Sequence, residues 1–138
     1  MKPCSIEKLV REKLGEMFGT KFRKNKLITG YDSKKRPKLH EFDLISENMD
    51  IIGEIKSGKC TRTNYNLALV DCLYLSKIKA ATKLMVFTDK ELYEYFRDNS
   101  EGVISKDIRA ILVLPYTDLK PIPLEKQVNM QEMRKSYS

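Results

Sequence analysis

One stretch of the chain, HEFDLISENMDIIGEIKSGK at residues 40–59, restricts the possible folds more than any other. It predicts two short strands, residues 38–46 and 51–56, because apolar and polar side chains alternate on both sides of the turn-like ENMD. Strands joined by so short a turn pair in the antiparallel sense. The stretch therefore predicts a β-hairpin.

The register of this hairpin follows if its turn is centred on residues 48–49, because the numbers of paired residues then sum to 97. In that register Asp43 lies directly across from Glu54, and Glu41 lies across from Lys56. Side chains alternate between the two faces of a strand, so all four charged groups are expected on one face.

The other face of the hairpin is predicted to be apolar. It carries Phe42, Leu44, Ile51 and Ile55. His40 is expected on this apolar side as well, where a lone histidine is more often a core residue than a general base. This face is the one expected to pack against the protein core.

The predicted placement of Asp43 directly across from Glu54 is the feature that indicates a chemical role. Two carboxylates about 5 Å apart repel each other unless they share a positive charge. A divalent cation supplies that charge, with the Lys56 ammonium close by, and the pattern indicates a metal-dependent hydrolytic site. The alternative is a solvent-facing surface with cross-strand ion pairs, which the pairing of Glu41 with Lys56 fits.

An acid followed eleven residues later by E-I-K resembles the signature of the PD-(D/E)XK nuclease superfamily. The matching residues are Asp43, Glu54 and Lys56, and Phe42 stands where the signature has proline. The resemblance implies phosphodiester hydrolysis with Mg²⁺, for which Mn²⁺ would be a substitute. It also implies that Asp43 and Glu54 hold the metal, with the Ile55 carbonyl as a further ligand, and that Lys56 acts on water and phosphate.

Two helices supply further candidates. Glu7 lies at the border of the apolar stripe of a helix predicted at residues 5–18, and members of this superfamily often place an acid from the first helix beside the metal. The resemblance therefore implies Glu7 as a metal ligand, while a favourable acid in a first helical turn is the alternative. Asp71 and Tyr74 share a face of the second helix, where many members carry a supporting polar residue. For Tyr74 a core position is the simpler interpretation.

The remaining periodicity predicts an α/β fold in one domain, with a mixed central sheet flanked by helices in the order α-β-β-β-α-β-α-β. Helices are predicted at residues 5–18, 65–82 and 89–99, and strands at 26–31, 38–46, 51–56, 84–89 and 108–115. This is the order of the restriction-endonuclease-like fold, so the resemblance covers residues 5–115. A nuclease-like domain is expected at 1–115 and an irregular tail at 116–138.

Composition limits the class of protein. The 138 residues are 41% hydrophobic and 33% charged, which is typical of one globular domain. No apolar run is long enough to span a bilayer, no signal peptide is recognisable, and three cysteines without metal-like spacing favour the cytoplasm. GEIKSGKC at 53–60 has Cys60 where a phosphate-binding loop needs Ser or Thr, which argues against a nucleotide hydrolase.

The net charge of +7 favours a polyanionic partner, and nucleic acid is the usual one. Basic residues flank the hairpin and are predicted to contact nucleic acid: Lys34, Lys35, Arg36, Lys38, Lys59 and Arg62. A second basic group follows the first helix: Lys21, Arg23, Lys24 and Lys26. Solvated lysines are the alternative for many of them.

Together these features predict a Mg²⁺-dependent endodeoxyribonuclease that could act as a homodimer. The alternative is a nucleic-acid-binding or assembly module that has the same fold without catalytic activity.

Overall fold

The computed structural model of the chain describes residues 3–115, with side chains from residue 6 onward. The elements are α1 (Pro3–Phe18), β1 (Phe22–Tyr31), β2 (Pro37–Ser46), β3 (Ile51–Lys56), α2 (Arg62–Leu75), β4 (Thr82–Phe87), α3 (Lys90–Ser100) and β5 (Ile108–Leu112). The tail predicted at 116–138 lies outside the described residues.

The strands form one sheet in the order β1-β2-β3-β4-β5. The first three strands are antiparallel, whereas β3, β4 and β5 are parallel. Parallel neighbours need a crossover, and α2 and α3 provide the two that occur here. The prediction of a single α/β domain with a mixed sheet flanked by helices is confirmed.

A hydrophobic core lies on each face of the sheet. On the α1 side it contains Val10, Leu14, Leu44, Ile55, Leu84, Val86, Ile111 and Val113. The core on the side of α2 and α3 is larger, and its members from the sheet include Phe42, Ile45, Ile52, Met85 and Phe87. Strand β4 contributes to both cores, as expected for a parallel strand covered on both faces. No helix in residues 3–115 is long and apolar enough to cross a membrane.

A β-bulge in β2 divides the hairpin residues between the two faces. One residue of β1, Lys24, lies opposite two residues of β2, Asp43 and Leu44. The extra residue reverses the alternation of side chains, so Phe42 packs on the α2 side and Leu44 on the α1 side. The prediction that Phe42 and Leu44 share a face was wrong for this reason.

The ladder between β2 and β3 is short. It contains only the pairs Leu44–Gly53 and Ile45–Ile52 within the described chain, and both pairs follow the predicted register. Gly53 is required here, since a Cβ at this position would lie 2.6 Å from the carbonyl oxygen of Leu84 on β4. Beyond Leu44 and Gly53 the two strands separate, and the β1–β2 hairpin extends past the sheet in the direction of the end of β3.

Candidate functional site

The candidate site lies where β2 and β3 separate. Asp43 and Glu54 would form the next pair of the ladder, but their side chains replace the backbone bonds. The Asp43 amide donates to Glu54 Oε1 at 3.1 Å, and the Ile55 amide donates to Asp43 Oδ2 at 2.9 Å. The structure thus brings Asp43 and Glu54 together, each carboxylate bonded to the other strand. Their outer oxygens leave on different faces, however: Asp43 Oδ1 faces Lys24 on the α1 side, and Glu54 Oε2 faces His40 toward α2. The prediction that the four charged groups share one face was wrong, because the bulge shifts Asp43 to the α1 side.

Glu54 is the most buried carboxylate of this group, with 4% of its side chain exposed. Its Oε2 is joined to His40 Nε2 by a hydrogen bond of 3.2 Å. Burial raises the pKa of Glu54 to about 9, and the nearby charges of Asp71 and Asp43 add to this effect. Without a bound cation, Glu54 therefore keeps its proton at neutral pH.

His40 is held in place by two aromatic rings. It stacks parallel to Tyr74 of α2 with 3.8 Å between ring centroids, and it meets the Phe42 ring edge-on at 4.7 Å. Burial lowers the pKa of His40, which favours the neutral imidazole. The prediction that His40 lies on the face opposite Glu54 was wrong, because the bulge that follows it in β2 places His40 and Glu54 on the same side.

Lys56 has a different partner from the predicted one. Its Nζ lies 2.6 Å from Asp71 Oδ2 on α2, whereas Glu41 lies on the other side of the sheet against Lys24. The expected Glu41–Lys56 pair was therefore wrong. Asp71 Oδ2 is shielded from solvent, and the adjacent Lys56 ammonium compensates its charge.

Lys24 lies among three carboxylates on the α1 side. Its Nζ is 3.5 Å from Glu7 Oε2, 3.5 Å from Glu41 Oε1 and 3.8 Å from Asp43 Oδ1. Partial burial would lower the pKa of Lys24, but the charges of Glu7, Asp43 and Glu41 outweigh that effect and raise it. The structure therefore places the predicted ligand Glu7 next to Asp43, with an ammonium between them. Sequence reasoning placed Lys24 in a basic group expected to face nucleic acid, and its position among the carboxylates was missed.

Arg11 connects α1 to the same group of residues. Its Nη1 lies 3.9 Å from Glu7 Oε2 and donates to the Asp43 carbonyl at 3.4 Å. Glu7 and Arg11 are one helical turn apart, so both side chains lie on the same face of α1. This helix face was recognisable in the sequence for Glu7, but Arg11 was missed.

The basic residues predicted to contact nucleic acid are exposed: Lys34, Lys35, Arg36, Lys38, Lys59 and Arg62. The first three lie in the β1–β2 turn, where Asp32 Oδ1 accepts from the amides of Lys34 at 2.8 Å and Arg36 at 2.9 Å. The Arg36 side chain also donates to Asp32 at 2.8 Å. Its charge is therefore partly compensated, whereas no partner of the two lysine side chains is seen in the described part of the chain.

One group of side chains could hold a metal ion: ligand atoms of His40, Glu54 and Asp71 all lie within 4.8 Å of one another. Among the described residues, Glu7, Asp43 and Glu54 do not form such a group. The oxygen set of Asp43, Glu54 and the Ile55 carbonyl stays a prediction. Burial raises the pKa of the neighbouring Cys72 thiol to about 12, so Cys72 offers no thiolate at neutral pH.

Comparison of the chain with protein-family models, with curated proteins and with solved structures finds no significant match in any of the three. What the site can do is therefore inferred from its own residues.

Proposed function

We propose that this protein is a metal-dependent nuclease of the PD-(D/E)XK type that hydrolyses phosphodiester bonds in DNA. The observation that carries the proposal is the reciprocal bonding of Asp43 and Glu54 at the end of the β2–β3 ladder, with Lys56 two residues beyond Glu54. The bulge beside Asp43 adds support, since bulges are frequent next to active sites.

The donor atoms at this point fit Mg²⁺, which prefers oxygen ligands. Asp43, Glu54 and the Ile55 carbonyl would hold the ion, and Glu7 would complete the set from α1. When bound, Mg²⁺ would supply a more acidic water and compensate charge on the phosphate. Binding would require Glu54 to release its proton, because the raised pKa keeps it neutral otherwise.

Lys56 is proposed to stabilise the negative charge that develops on the phosphate. Its side chain is 22% exposed and lies at the end of β3, so the ammonium can reach a substrate at this edge of the sheet. In the structure Asp71 orients that ammonium from α2. Asp71 would then act as a positioning residue, which limits the movement of the Lys56 side chain.

The β1–β2 turn, which extends past the sheet, and the loop after β3 are proposed to bind the DNA backbone. Lys34 and Lys35 lie at one side of the strand gap, and Lys59 and Arg62 lie at the other, in the loop after β3 and at the start of α2. The Lys59 carbonyl accepts from Asn64 Nδ2 at 2.8 Å, which braces this loop. Contacts of this kind position a duplex without reading its sequence.

One observation favours the alternative of a DNA-binding module without catalytic activity. The Lys24 ammonium already compensates Glu7, Glu41 and Asp43, which reduces the need for a metal ion. Lys24 is 40% exposed and long, however, so a divalent ion could displace it at small cost. The two functions differ in whether DNA is cut.

The test is incubation of supercoiled plasmid and branched DNA with the purified protein in Mg²⁺. Cleavage is expected in Mg²⁺ and in Mn²⁺, and it should stop when a chelator is added. As a control for contaminating nucleases, Asp43→Asn purified in the same way should not cut. Asp98→Asn, which removes an exposed carboxylate on α3, should cut as fast as the natural protein. Binding of the same DNA without cleavage in either metal ion would favour the alternative, a DNA-binding module without catalytic activity.

A further inference from the structure

We propose that His40, Glu54 and Asp71 form a second cation site, on the α2 side of the sheet, that takes a divalent first-row transition-metal ion such as Zn²⁺ or Mn²⁺. The three residues come from β2, β3 and α2, and their ligand atoms lie within 4.8 Å of one another. The site shares Glu54 with the proposed Mg²⁺ centre, but it requires no nuclease activity.

The imidazole is already oriented toward the other two ligands. Stacking on Tyr74 with 7° between the ring planes, and the edge contact with Phe42, restrict rotation of the His40 ring. The ring presents Nε2 to Glu54 Oε2 at 3.2 Å. A ligand held in this way loses little side-chain entropy when it binds a metal ion.

The buried carboxyl groups of the cluster favour a cation. Asp71 Oδ2 is shielded from solvent, and Glu54 is nearly fully buried beside it. A buried carboxylate needs a compensating positive charge. In the structure the Lys56 ammonium, 2.6 Å from Asp71 Oδ2, supplies that charge to Asp71 alone, whereas a coordinated ion would supply it to both carboxylates.

The donor atoms select the class of metal. One imidazole nitrogen with two carboxylates suits transition-metal ions, whereas Mg²⁺ prefers oxygen ligands and retains its water. Three protein ligands also leave coordination positions for water or substrate, as in catalytic rather than structural zinc sites. The site should therefore prefer Zn²⁺ over Mg²⁺ when both are present.

Lys56 and the metal ion compete for Asp71. An ion bound to Asp71 would repel the Lys56 ammonium and release it from α2. Removing that ammonium should strengthen metal binding, while removing the Asp71 charge should weaken it. These opposite effects separate a real site from a general loss of structure, since misfolding would weaken binding in both variants.

His40 allows a direct test because it is the one histidine in the sequence. Protein with ¹⁵N-labelled histidine is titrated with Zn²⁺, and the imidazole resonances are recorded. The Nε2 resonance is expected to show the large shift of direct ligation with one equivalent of Zn²⁺. With the same amount of Mg²⁺ it should show only the small shift of an altered hydrogen bond to Glu54. An Nε2 resonance unchanged at saturating Zn²⁺ would overturn the proposal, whether or not the protein cuts DNA.

Variants give the second readout, the Zn²⁺ dissociation constant measured from the same resonance. Asp71→Asn should raise it at least about 10-fold, as loss of a metal-orienting or ligating carboxylate does elsewhere. Lys56→Ala should leave it equal or lower it, and the exposed control Asp98→Asn should leave it unchanged. Equal constants in Asp71→Asn and Asp98→Asn would contradict the site. A nuclease that uses only Asp43 and Glu54 would pass the cleavage test and fail this one.

Discussion

Two lysines determine how the carboxylates of the site are compensated. Lys24 lies on the α1 side with Glu7 and Asp43, and Lys56 lies on the α2 side with Asp71. Glu54 has no lysine within ion-pair distance in the described chain and is neutral at pH 7 through its raised pKa. The site therefore combines two compensated carboxylate groups with one protonated acid between them.

Replacement of Lys56 by alanine separates binding from catalysis. Cleavage should fall by about 100-fold or more, as when a preorganised donor to a transition state is removed. Metal affinity should stay equal or rise, since the ammonium repels the ion, and DNA affinity should fall only modestly. The variant should also lose stability, because Asp71 is left buried without its partner. Cleavage rate, metal titration and DNA binding are measured on one preparation.

The matched control is Lys106→Ala, which removes an exposed lysine before β5 at the other end of the sheet. It should leave all three quantities unchanged. Undiminished cleavage by Lys56→Ala would contradict the proposed role of this lysine.

Glu54 should make the stability of the cation-free protein depend on pH. The unfolded chain releases this proton near the ordinary value of 4.5, whereas the folded protein keeps it to about 9. Between these values the folded state binds more protons, so the free energy of unfolding should fall as pH rises, by at most ~1.4 kcal/mol per pH unit. Below 4.5 the contribution of Glu54 to stability is complete.

The check is denaturant unfolding of the natural protein and of Glu54→Gln, in chelator, from pH 5 to pH 9. Glutamine cannot ionise, so the stability of the variant relative to the natural protein should increase steadily with pH. Parallel curves for the two proteins would show that Glu54 is already ionised in the folded state.

At the scale of elements, the bulge in β2 decides which side chains meet. It places His40 and Phe42 on the α2 side and brings Lys24 of β1 against Asp43. The strands separate just beyond it, so the site has the open edge that a regular ladder would close. The β1–β2 turn, which carries Lys34 and Lys35, extends past this edge.

Much of this arrangement could be predicted from the sequence. Alternating side chains and the ENMD turn were sufficient to predict the β2–β3 hairpin and its register, which two observed pairs confirm. The bulge could not be predicted, because residues 40–44 alternate between apolar and polar as they would in a regular strand. That one residue explains the wrong faces of His40, Phe42 and Asp43 and the wrong partner of Glu41.

Helix boundaries and partners were less predictable for another reason. Thr61 caps α2 by accepting from the Asn64 amide, so the helix begins at Arg62 rather than at residue 65 as predicted. The Lys56–Asp71 pair depends on how α2 packs across the sheet, which local sequence does not encode.

Neutralising the basic residues of the β1–β2 turn should weaken DNA binding. In the Lys34→Ala, Lys35→Ala, Arg36→Ala triple variant, affinity should fall and its dependence on salt should flatten, by about two in the slope of log K against log salt. The expected change is two rather than three because Arg36 is paired with Asp32. Binding is measured by fluorescence anisotropy over a range of salt concentrations.

The control for this variant removes the same charge elsewhere. Lys77, Lys79 and Lys106 are exposed and precede β4 or β5, at the end of the sheet away from Lys56. Alanine at these three positions should change affinity and salt slope much less. Equal effects of the two triple variants would mean that DNA affinity depends on the net charge of the protein and not on the β1–β2 turn.

In the whole molecule, a hydrophobic core covers each face of the sheet, and the candidate site lies at the edge where β2 and β3 separate. α1 brings Glu7 and Arg11 to one side of that edge, and α2 brings Asp71 and Tyr74 to the other. The overall charge of +7 favours approach of a polyanion, while the carboxylates at the edge would repel it unless a cation is bound. Metal and DNA should therefore bind cooperatively.

The most direct test of the proposed function is the rate of DNA cleavage by Asp43→Asn in Mg²⁺, compared with the natural protein and with Asp98→Asn. Asparagine keeps an oxygen that can accept from the Ile55 amide, so the strand edge should persist while the charge is lost. We expect cleavage to fall at least about 100-fold with DNA binding retained or increased. Cleavage by Asp43→Asn at the rate of Asp98→Asn would contradict the proposed active site.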